Sequence, residues 1–212
     1  MNVAALPKNA GPGRPKDLEK RAAILDAAKQ LFTTQGYEGT SMDAIAASAG
    51  VSKLTVYSHF RDKDALFMEA VRCKCEEQLP AELFNANLKG PLRQQLLTIA
   101  DAFFALVSSE EAVAIHRTIV ANAQQSPKLG KLFWDAGPAR VQDAFAAFLD
   151  EETAAQQLDI PDSRRAATQF FCLLKGELHG RMECGCGTPT RAEIDEHLNA
   201  TVDFFLRAYA SR

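Results

Sequence analysis

The sequence lacks an apolar run of about 18 residues, which argues against a membrane-spanning helix. Its N-terminus has no hydrophobic core segment of the kind that a secretory signal needs; it reads MNVAALPKNAGPGRPK. Its 5 cysteines are few and odd in number for 212 residues, which fits a reducing compartment better than a disulfide framework. Together these absences predict a cytoplasmic protein with no membrane partner.

Catalytic signatures are missing as well. There is no G-x-S-x-G, no P-loop, no dinucleotide fingerprint and no H-E-x-x-H in the chain. No repeat of 20–50 residues and no convincing alternating strand pattern is present. We therefore expect neither an enzyme nor a resident cofactor, although a helical enzyme with unrecognised chemistry stays open as an alternative.

The distribution of charge is uneven along the chain. Residues 1–75 hold 11 basic and 8 acidic side chains, whereas residues 76–212 hold 13 basic and 19 acidic ones. A basic front on an acidic body favours contact between the front and a polyanion. An ordinary solvated surface would also fit this modest excess.

Apolar spacing predicts helices almost throughout. Ile24, Ala28, Leu31 and Phe32 follow the three- and four-residue spacing of one helix face. Gly36 is expected to end that helix. The pattern predicts an all-α fold with three parts: a flexible basic arm over residues 1–16, a helix-turn-helix domain over 17–75, and a larger helical domain over 76–212. The expected helices cover about 17–35, 41–49, 54–60, 63–79, 91–108, 110–123, 127–134, 138–157, 163–183 and 191–210.

Two short helices around a glycine indicate a helix-turn-helix. Ala46 is small enough for a close helix crossing, and Gly50 tolerates the positive φ that a tight corner needs. With Val51 and Val56 turned inward, the donors of the second helix are expected to face outward, where they suit phosphates and base edges. These side chains are Ser52, Lys53, Thr55, Tyr57, Ser58 and His59.

The stretch ILDAAKQLFTTQGYEGTSMDAIAASAGVSKLTVYSHFRDKDALF resembles the N-terminal domain of the TetR family of bacterial transcriptional repressors. The resemblance implies a homodimer with one recognition helix per subunit in the major groove of a near-palindromic DNA operator. Leu54 departs from the family, which usually has a small residue there. The predicted DNA contacts are Arg14, Thr40, Ser41, Ser52, Lys53, Leu54, Thr55, Tyr57, His59 and Lys63.

The remaining chain is similar to the AefR-like subgroup of the family's C-terminal domains, on the stretches QQSPKLGKLFWDAGPARVQDAFAAFL, FFCLLKGELHGR and VDFFLRAYA. This resemblance implies dimerisation and binding of a small effector, which we expect to be apolar or aromatic. The candidate pocket residues are Phe103, Phe104, His116, Ile119, Phe133 and Trp134. Two apolar stripes are candidates for the dimer interface, with their own subunit's core as the alternative: Phe170, Phe171, Leu174, Leu178, Ile194, Leu198, Val202 and Phe205.

The pair Cys184 and Cys186 leaves further alternatives open. With His179 and Glu183, one helical turn apart, the two thiols form a candidate metal-ligand set. A thiol sensor based on Cys184 and Cys186 is a second alternative, and ordinary free cysteines are the third. An architectural DNA-binding protein that senses nothing is a further function class. The length of the C-terminal domain argues against this class, because dimerisation alone would require a shorter domain.

Overall fold

The structure, a computed structural model, describes residues 14–84 and 90–211. Within these ranges it contains α-helices, one short 3-10 helix at Ala81–Phe84 and a single isolated bridge between Leu158 and Ala210. The predicted all-α fold is thereby confirmed. The helices are α1 (Arg14–Gly39), α2 (Met42–Ser48), α3 (Lys53–His59), α4 (Lys63–Gln78), α5 (Leu92–Ser108), α6 (Glu110–Ala121), α7 (Pro127–Ala136), α8 (Pro138–Ala154), α9 (Ser163–Glu183) and α10 (Arg191–Tyr209).

The chain divides into two compact units, one ending at Leu66 and the other beginning at Phe67. Helix α4 starts in the first unit and ends in the second. The predicted arm falls on residues 1–13, which lie outside the described part of the chain, and on Arg14 to Lys16, whose backbone already belongs to α1. The side chain of Arg14, a predicted DNA contact, also lies outside the described residues.

The core of the first unit is formed by apolar side chains from α1 to the start of α4. Ile24, Ala28, Ile45, Val56 and Leu66 are all fully buried. Their spacing on each helix produces one apolar face, and burial of these faces against one another holds the three-helix arrangement together.

Helix α1 is interrupted at Gly36, where a helix end was expected, and continues to Gly39. The glycine has φ 71° and ψ 173°, a conformation that strains any residue with a Cβ. The buried hydroxyl of Thr40 donates to two carbonyl groups of α1, at Leu31 (3.1 Å) and Gly36 (2.7 Å). The hydroxyl therefore ties the chain that follows α1 back to the last part of that helix.

The core of the second unit is rich in phenylalanine. The fully buried Phe145 ring of α8 lies 4.8 Å from the Phe170 ring of α9 and 5.1 Å from the Phe171 ring, centroid to centroid. Phe205 of α10 packs against Phe170 at 4.9 Å. Three helices thus meet at one aromatic cluster, whose buried area stabilises the unit.

Helix α9 is interrupted at Gly176, which has φ 47° and ψ −152°. The His197 ring of α10 occupies the space beside this glycine, and a Cβ placed there would lie 2.7 Å from its Cε1 atom. The His197 Nε2 atom lies 2.8 Å from the Leu174 carbonyl oxygen. Since the interruption frees that carbonyl, His197 gives the kink a specific hydrogen-bonding partner.

Among the described residues, no helix combines the length and the apolar character that crossing a membrane requires.

Candidate nucleic-acid interface

The turn between α2 and α3 is built around Gly50. Its φ is 65°, and its N–H donates to the Ala47 carbonyl at 3.2 Å, while the Val51 N–H donates to Ala46 at 3.0 Å. This pair of bonds is the Schellman arrangement, which ends a helix with a residue in the left-handed conformation. The chain therefore turns sharply after α2, and α3 begins close to it.

Helix α3 is fixed at its start and in its middle. The Ser52 hydroxyl accepts a hydrogen bond from the Thr55 N–H at 3.1 Å and so caps the helix. Val56 is completely buried and anchors the inner side of the helix. With the inner side fixed, the opposite side of α3 is presented to solvent.

The outward side of α3 carries Lys53, Leu54 and Tyr57. Leu54 is 80% exposed and Tyr57 is 44% exposed. The Lys53 ammonium lies 2.8 Å from Asp43 Oδ1 of α2, and this exposed pair raises the pKa of Lys53. These three side chains therefore lie on the accessible side of the second helix of the helix-turn-helix, where Lys53 and Tyr57 were expected.

His59 does not face outward as expected. Only 9% of its side chain is exposed, and its Nε2 atom lies 3.1 Å from Asp17 Oδ1 of α1. The expected orientation is wrong because His59 closes the last turn of α3 and turns toward α1. In this position the imidazole is largely withdrawn from solvent.

The two hydroxyls before α2 have separate roles. Ser41 caps α2 by accepting a hydrogen bond from the Ala44 N–H at 3.1 Å, and it stays exposed. Thr40 is 2% exposed, and its hydroxyl points back to the carbonyls of α1. Thr40 was among the predicted DNA contacts, and its buried position corrects that expectation.

Lys63 lies against the end of α1. Its ammonium donates to the carbonyls of Tyr37 at 2.9 Å and Thr40 at 3.2 Å, and it sits 4.2 Å from the centroid of the Tyr37 ring. The Tyr37 hydroxyl in turn donates to Asp64. Lys63 was among the predicted DNA contacts, but in the structure its ammonium links the start of α4 to the end of α1.

The six predicted effector residues divide into separate groups. Phe103 and Phe104 are consecutive in α5 and meet different neighbours, with Phe103 at 4.4 Å from the Phe171 ring and Phe104 at 6.3 Å from His197. Ile119 of α6 is buried. Trp134 is 51% exposed, so its placement in an interior lining is corrected: it lies on the outer side of α7.

His116 and Phe133, the other two predicted pocket residues, do come together. Their rings are 6.4 Å apart, and His116 Nδ1 contacts the Glu183 carboxylate. His179 lies on the other side, with Nε2 3.9 Å from Glu183 Oε1. Burial lowers the pKa of His179 below its ordinary value, which favours the neutral ring. The result is a half-buried polar cluster of His116, His179 and Glu183 between α6 and α9.

The proposed metal set of His179, Glu183, Cys184 and Cys186 is not formed. No group of three or more such side chains in the described parts of the chain is arranged to hold a metal ion. Glu183 faces His116 instead, and both cysteines are free and exposed. Gly185, with φ 73°, ends α9 in a second Schellman arrangement, so Cys184 and Cys186 flank the corner of a helix cap.

Most residues of the predicted dimer stripes belong to the protomer's own core. Phe170, Leu174 and Val202 are fully buried within the chain. For these three residues the assignment to the interface is wrong, because they already pack inside the subunit. Phe171, Leu198 and Phe205 are buried in the same way, whereas Leu178 and Ile194 are only partly buried and stay predicted interface residues.

Two large apolar side chains on α9 and α10 are exposed and were not among the predicted interface residues. They are Leu173, at 39% exposure, and Phe204, at 54%. Hydrogen bonding between Tyr209 and Gln169 and between His197 and Leu174 places the two helices side by side and antiparallel. Leu173 and Phe204 lie outside the main apolar stripe of their helices. A search of the sequence for large apolar residues outside those stripes could have identified them.

Comparison with known proteins identifies the family. A family model described as bacterial regulatory proteins, tetR family, matches residues 24–70, over the helix-turn-helix. A second model, described as AefR-like transcriptional repressor, C-terminal domain, matches residues 94–211, more than half of the chain. The chain belongs to the TetR family of transcriptional regulators.

Solved TetR-family structures extend this similarity to nearly the whole chain. A regulator from Mesorhizobium loti is 30% identical, with a TM-score of 0.77 over 93% of this chain and 100% of that one. The flavonoid-responsive regulator FrrA is 36% identical, with a TM-score of 0.73 over 91% of this chain and 98% of its own. The chain thus shares its fold, including the helix-turn-helix, with these two regulators.

The regulator YdeS of Bacillus subtilis is 29% identical over 119 residues, which are 56% of this chain and 57% of YdeS. The chain spans about half the length of the curated relatives that it matches first. The family and these relatives are transcriptional regulators and not enzymes.

We expect that Lys63→Ala weakens this TetR-family domain through its fold. Loss of two hydrogen bonds from an ammonium to carbonyls should lower the free energy of unfolding of the first unit by about 1–2 kcal/mol. Hydrogen exchange measured by mass spectrometry over residues 20–66 reports on this unit alone. The matched control is Arg61→Ala, since Arg61 is 90% exposed and pairs only with its neighbour Asp62 among the described contacts.

The salt dependence of DNA binding separates this structural role from a phosphate contact. If Lys63 contacts a phosphate, Lys63→Ala should reduce the slope of log affinity against log salt by about one per contact. We expect an unchanged slope and faster exchange. A reduced slope with unchanged exchange would overturn the structural role.

Proposed function

We propose that the protein is a homodimeric repressor that binds a near-palindromic operator and leaves it when a small aromatic effector binds to the second unit. The observation that carries the DNA-binding part is α3, which is held by Val56 and Gly50 while Lys53, Leu54 and Tyr57 project to solvent. A helix presented in this way fits the major groove.

A homodimer contacts more base pairs than a single short helix can, and so gains affinity and specificity for DNA. Helix α3 has 7 residues and can reach only a few base pairs. Two copies of α3 on half-sites about 34–36 Å apart would read a pseudo-palindrome and add their free energies of binding. The exposed Leu173 and Phe204 support pairing through the outer sides of α9 and α10, because an isologous contact would cover both.

The effector class draws on two observations. The structural relative FrrA is described as flavonoid-responsive. In this chain, the cluster of His116, Glu183 and His179 offers donors and acceptors beside the aromatic ring of Phe133. A planar aromatic compound with hydroxyl groups matches both the ring and the polar cluster, so we infer an effector of the polyphenol class.

Release from DNA requires that the effector binds one conformation of the dimer better than the other. Repression then ends through linkage between the effector site and the operator, because the conformation that binds the effector holds DNA less tightly. The continuous helix α4 is the element that begins in the first unit and ends in the second, and it is the proposed carrier of the change.

The test is a fluorescence-anisotropy titration of the protein–operator complex with quercetin, a flavonoid. We expect operator affinity to fall by about 5–150-fold while the dimer and its helix content persist. His116→Phe keeps a ring against Phe133 but removes the polar contact with Glu183, so it should raise the quercetin concentration needed for release and leave effector-free operator affinity unchanged.

Calorimetry on the same samples measures whether quercetin binds the protein, and this decides how the titration is interpreted. If quercetin binds the protein and operator affinity does not change at saturation, effector-linked release is wrong. If quercetin does not bind at all, the inferred effector class is wrong. Operator binding by the effector-free protein is measured separately and stands or falls without either result.

A further inference from the structure

Leu54 is the most exposed of the large hydrophobic side chains in the parts of the chain that the structure describes, at 80%. Single exposed apolar residues are common on protein surfaces. Leu54, however, is the second residue of α3, on the accessible side of the helix-turn-helix. In the free protein its side chain contributes little to the core, so a reason for an apolar residue there has to come from outside the fold.

The polar side chains around Leu54 are already engaged within the protein. The Ser52 and Thr55 hydroxyls are 2.8 Å apart and hydrogen-bonded, and the Ser58 hydroxyl donates to the Thr55 carbonyl at 2.7 Å. Lys53 pairs with Asp43 across the turn. Leu54 has no such internal partner, and 80% of its surface is open to a partner outside the protein.

We propose that Leu54 determines operator sequence by contacting the C5-methyl group of a thymine in each half-site. This inference rests on the proposed binding of an operator by α3. The thymine methyl is the one apolar group that base edges present in the major groove. Placed over a cytosine or a purine, Leu54 would instead cover polar edge atoms and return no hydrogen bond, which costs binding energy.

Tyr57 provides a comparison for Leu54, because it lies three residues further along α3, on the same side of the helix. Its phenol has a hydroxyl that hydrogen-bonds to a phosphate or a base edge. Leu54 has no donor or acceptor, so contact with a methyl group is the only favourable base contact open to it. Tyr57 can therefore recognise hydrogen-bonding groups of the DNA, whereas Leu54 can recognise only a methyl group.

The experiment replaces the thymines of the operator by deoxyuridine, one symmetric pair of positions at a time, and measures the affinity of the full chain. Deoxyuridine keeps the base pair and every hydrogen-bonding atom and removes only the methyl group. At one position we expect about a fourfold loss of affinity per half-site, hence about 15-fold when both half-sites are changed. The other positions should change affinity by less than about twofold.

Leu54→Ala tests whether the Leu54 side chain is the group that contacts the thymine methyl. The variant should bind the thymine and deoxyuridine operators equally well, with an affinity close to that of the unchanged protein on deoxyuridine. Ser58→Ala is the matched control on the same helix, and it should keep the full discrimination, since the Ser58 hydroxyl bonds within α3. Because Leu54 is mostly exposed, its truncation should leave the melting temperature unchanged.

Three outcomes would overturn the proposal. Unchanged affinity at every deoxyuridine position would mean that no thymine methyl is read. Discrimination that persists in Leu54→Ala would assign the methyl contact to another side chain. Failure of the unchanged protein to bind any operator would instead overturn the proposed function, and this inference with it; the affinity on unmodified DNA separates that case from the other two.

Discussion

Replacement of Phe145 by alanine should lower the free energy of unfolding of the second unit by about 3–5 kcal/mol. The residue is fully buried at the centre of the aromatic cluster, with the rings of Phe148, Phe170 and Phe171 within 5.7 Å of its own, centroid to centroid. Its truncation removes transfer free energy and leaves a cavity that three helices line. Urea unfolding followed by the fluorescence of Trp134, the single tryptophan of the chain, reports on this unit.

Phe145→Leu is the matched control, because leucine keeps most of the apolar volume without the ring. We expect it to cost about 1–1.5 kcal/mol, less than alanine, because the leucine side chain fills most of the space that the ring occupied. Equal effects of the two substitutions, or a loss under about 1 kcal/mol for alanine, would mean that Phe145 is not central to the packing of α8 against α9.

Tyr57→Ala should reduce operator affinity by about 100-fold. One base or phosphate contact of a hydrogen-bonding side chain is worth about 1–3 kcal/mol, and a dimer loses it in both half-sites. Tyr57 is 44% exposed on the accessible side of α3, so its loss should leave the fold unchanged. Anisotropy measurements at several salt concentrations give the affinity, and thermal unfolding verifies the fold.

Ser58→Ala is the control for Tyr57 as well, because its hydroxyl is used inside the helix. We expect its affinity to stay within about twofold of that of the unchanged protein. Similar losses for Tyr57→Ala and Ser58→Ala would point to a general disturbance of α3 and would contradict a specific contact by Tyr57.

Much of the secondary structure was predictable because apolar spacing records which side of a helix is buried. The expected ends of α5, α6 and α9 fall within about two residues of those in the structure. Gly50 and Val56 also keep their predicted roles, since a left-handed turn and a buried helix side are local requirements that single residues meet.

The apolar pattern does not show whether the apolar side of a helix packs against its own subunit or against a second copy of the chain. The stripe of Phe170 and Leu174 was assigned to the dimer interface, with the subunit's own core as the alternative, and the complete burial of both residues favours the core. A stripe that faces a second copy and one that faces the core look alike in sequence. Exposed positions such as Phe204 become visible only when α9 and α10 are seen side by side.

Polar side chains were harder to predict because their partners are distant in sequence. His59 pairs with Asp17, and Lys63 reaches the carbonyl of Tyr37, contacts across 42 and 26 positions of the chain. From the sequence alone both residues looked like available donors near DNA. Only the packing of α1 against α3 and the start of α4 decides that they are engaged within the first unit.

The central claim is that α3 of each subunit reads one half of a two-fold symmetric operator. Selection of sequences bound by this protein from a library of random duplex DNA tests it most directly. We predict enrichment of an inverted repeat whose half-site centres are about one helical turn, 34–36 Å, or a multiple of it apart. Recovery of no enriched sequence, or of a single unrepeated site, would contradict the claim.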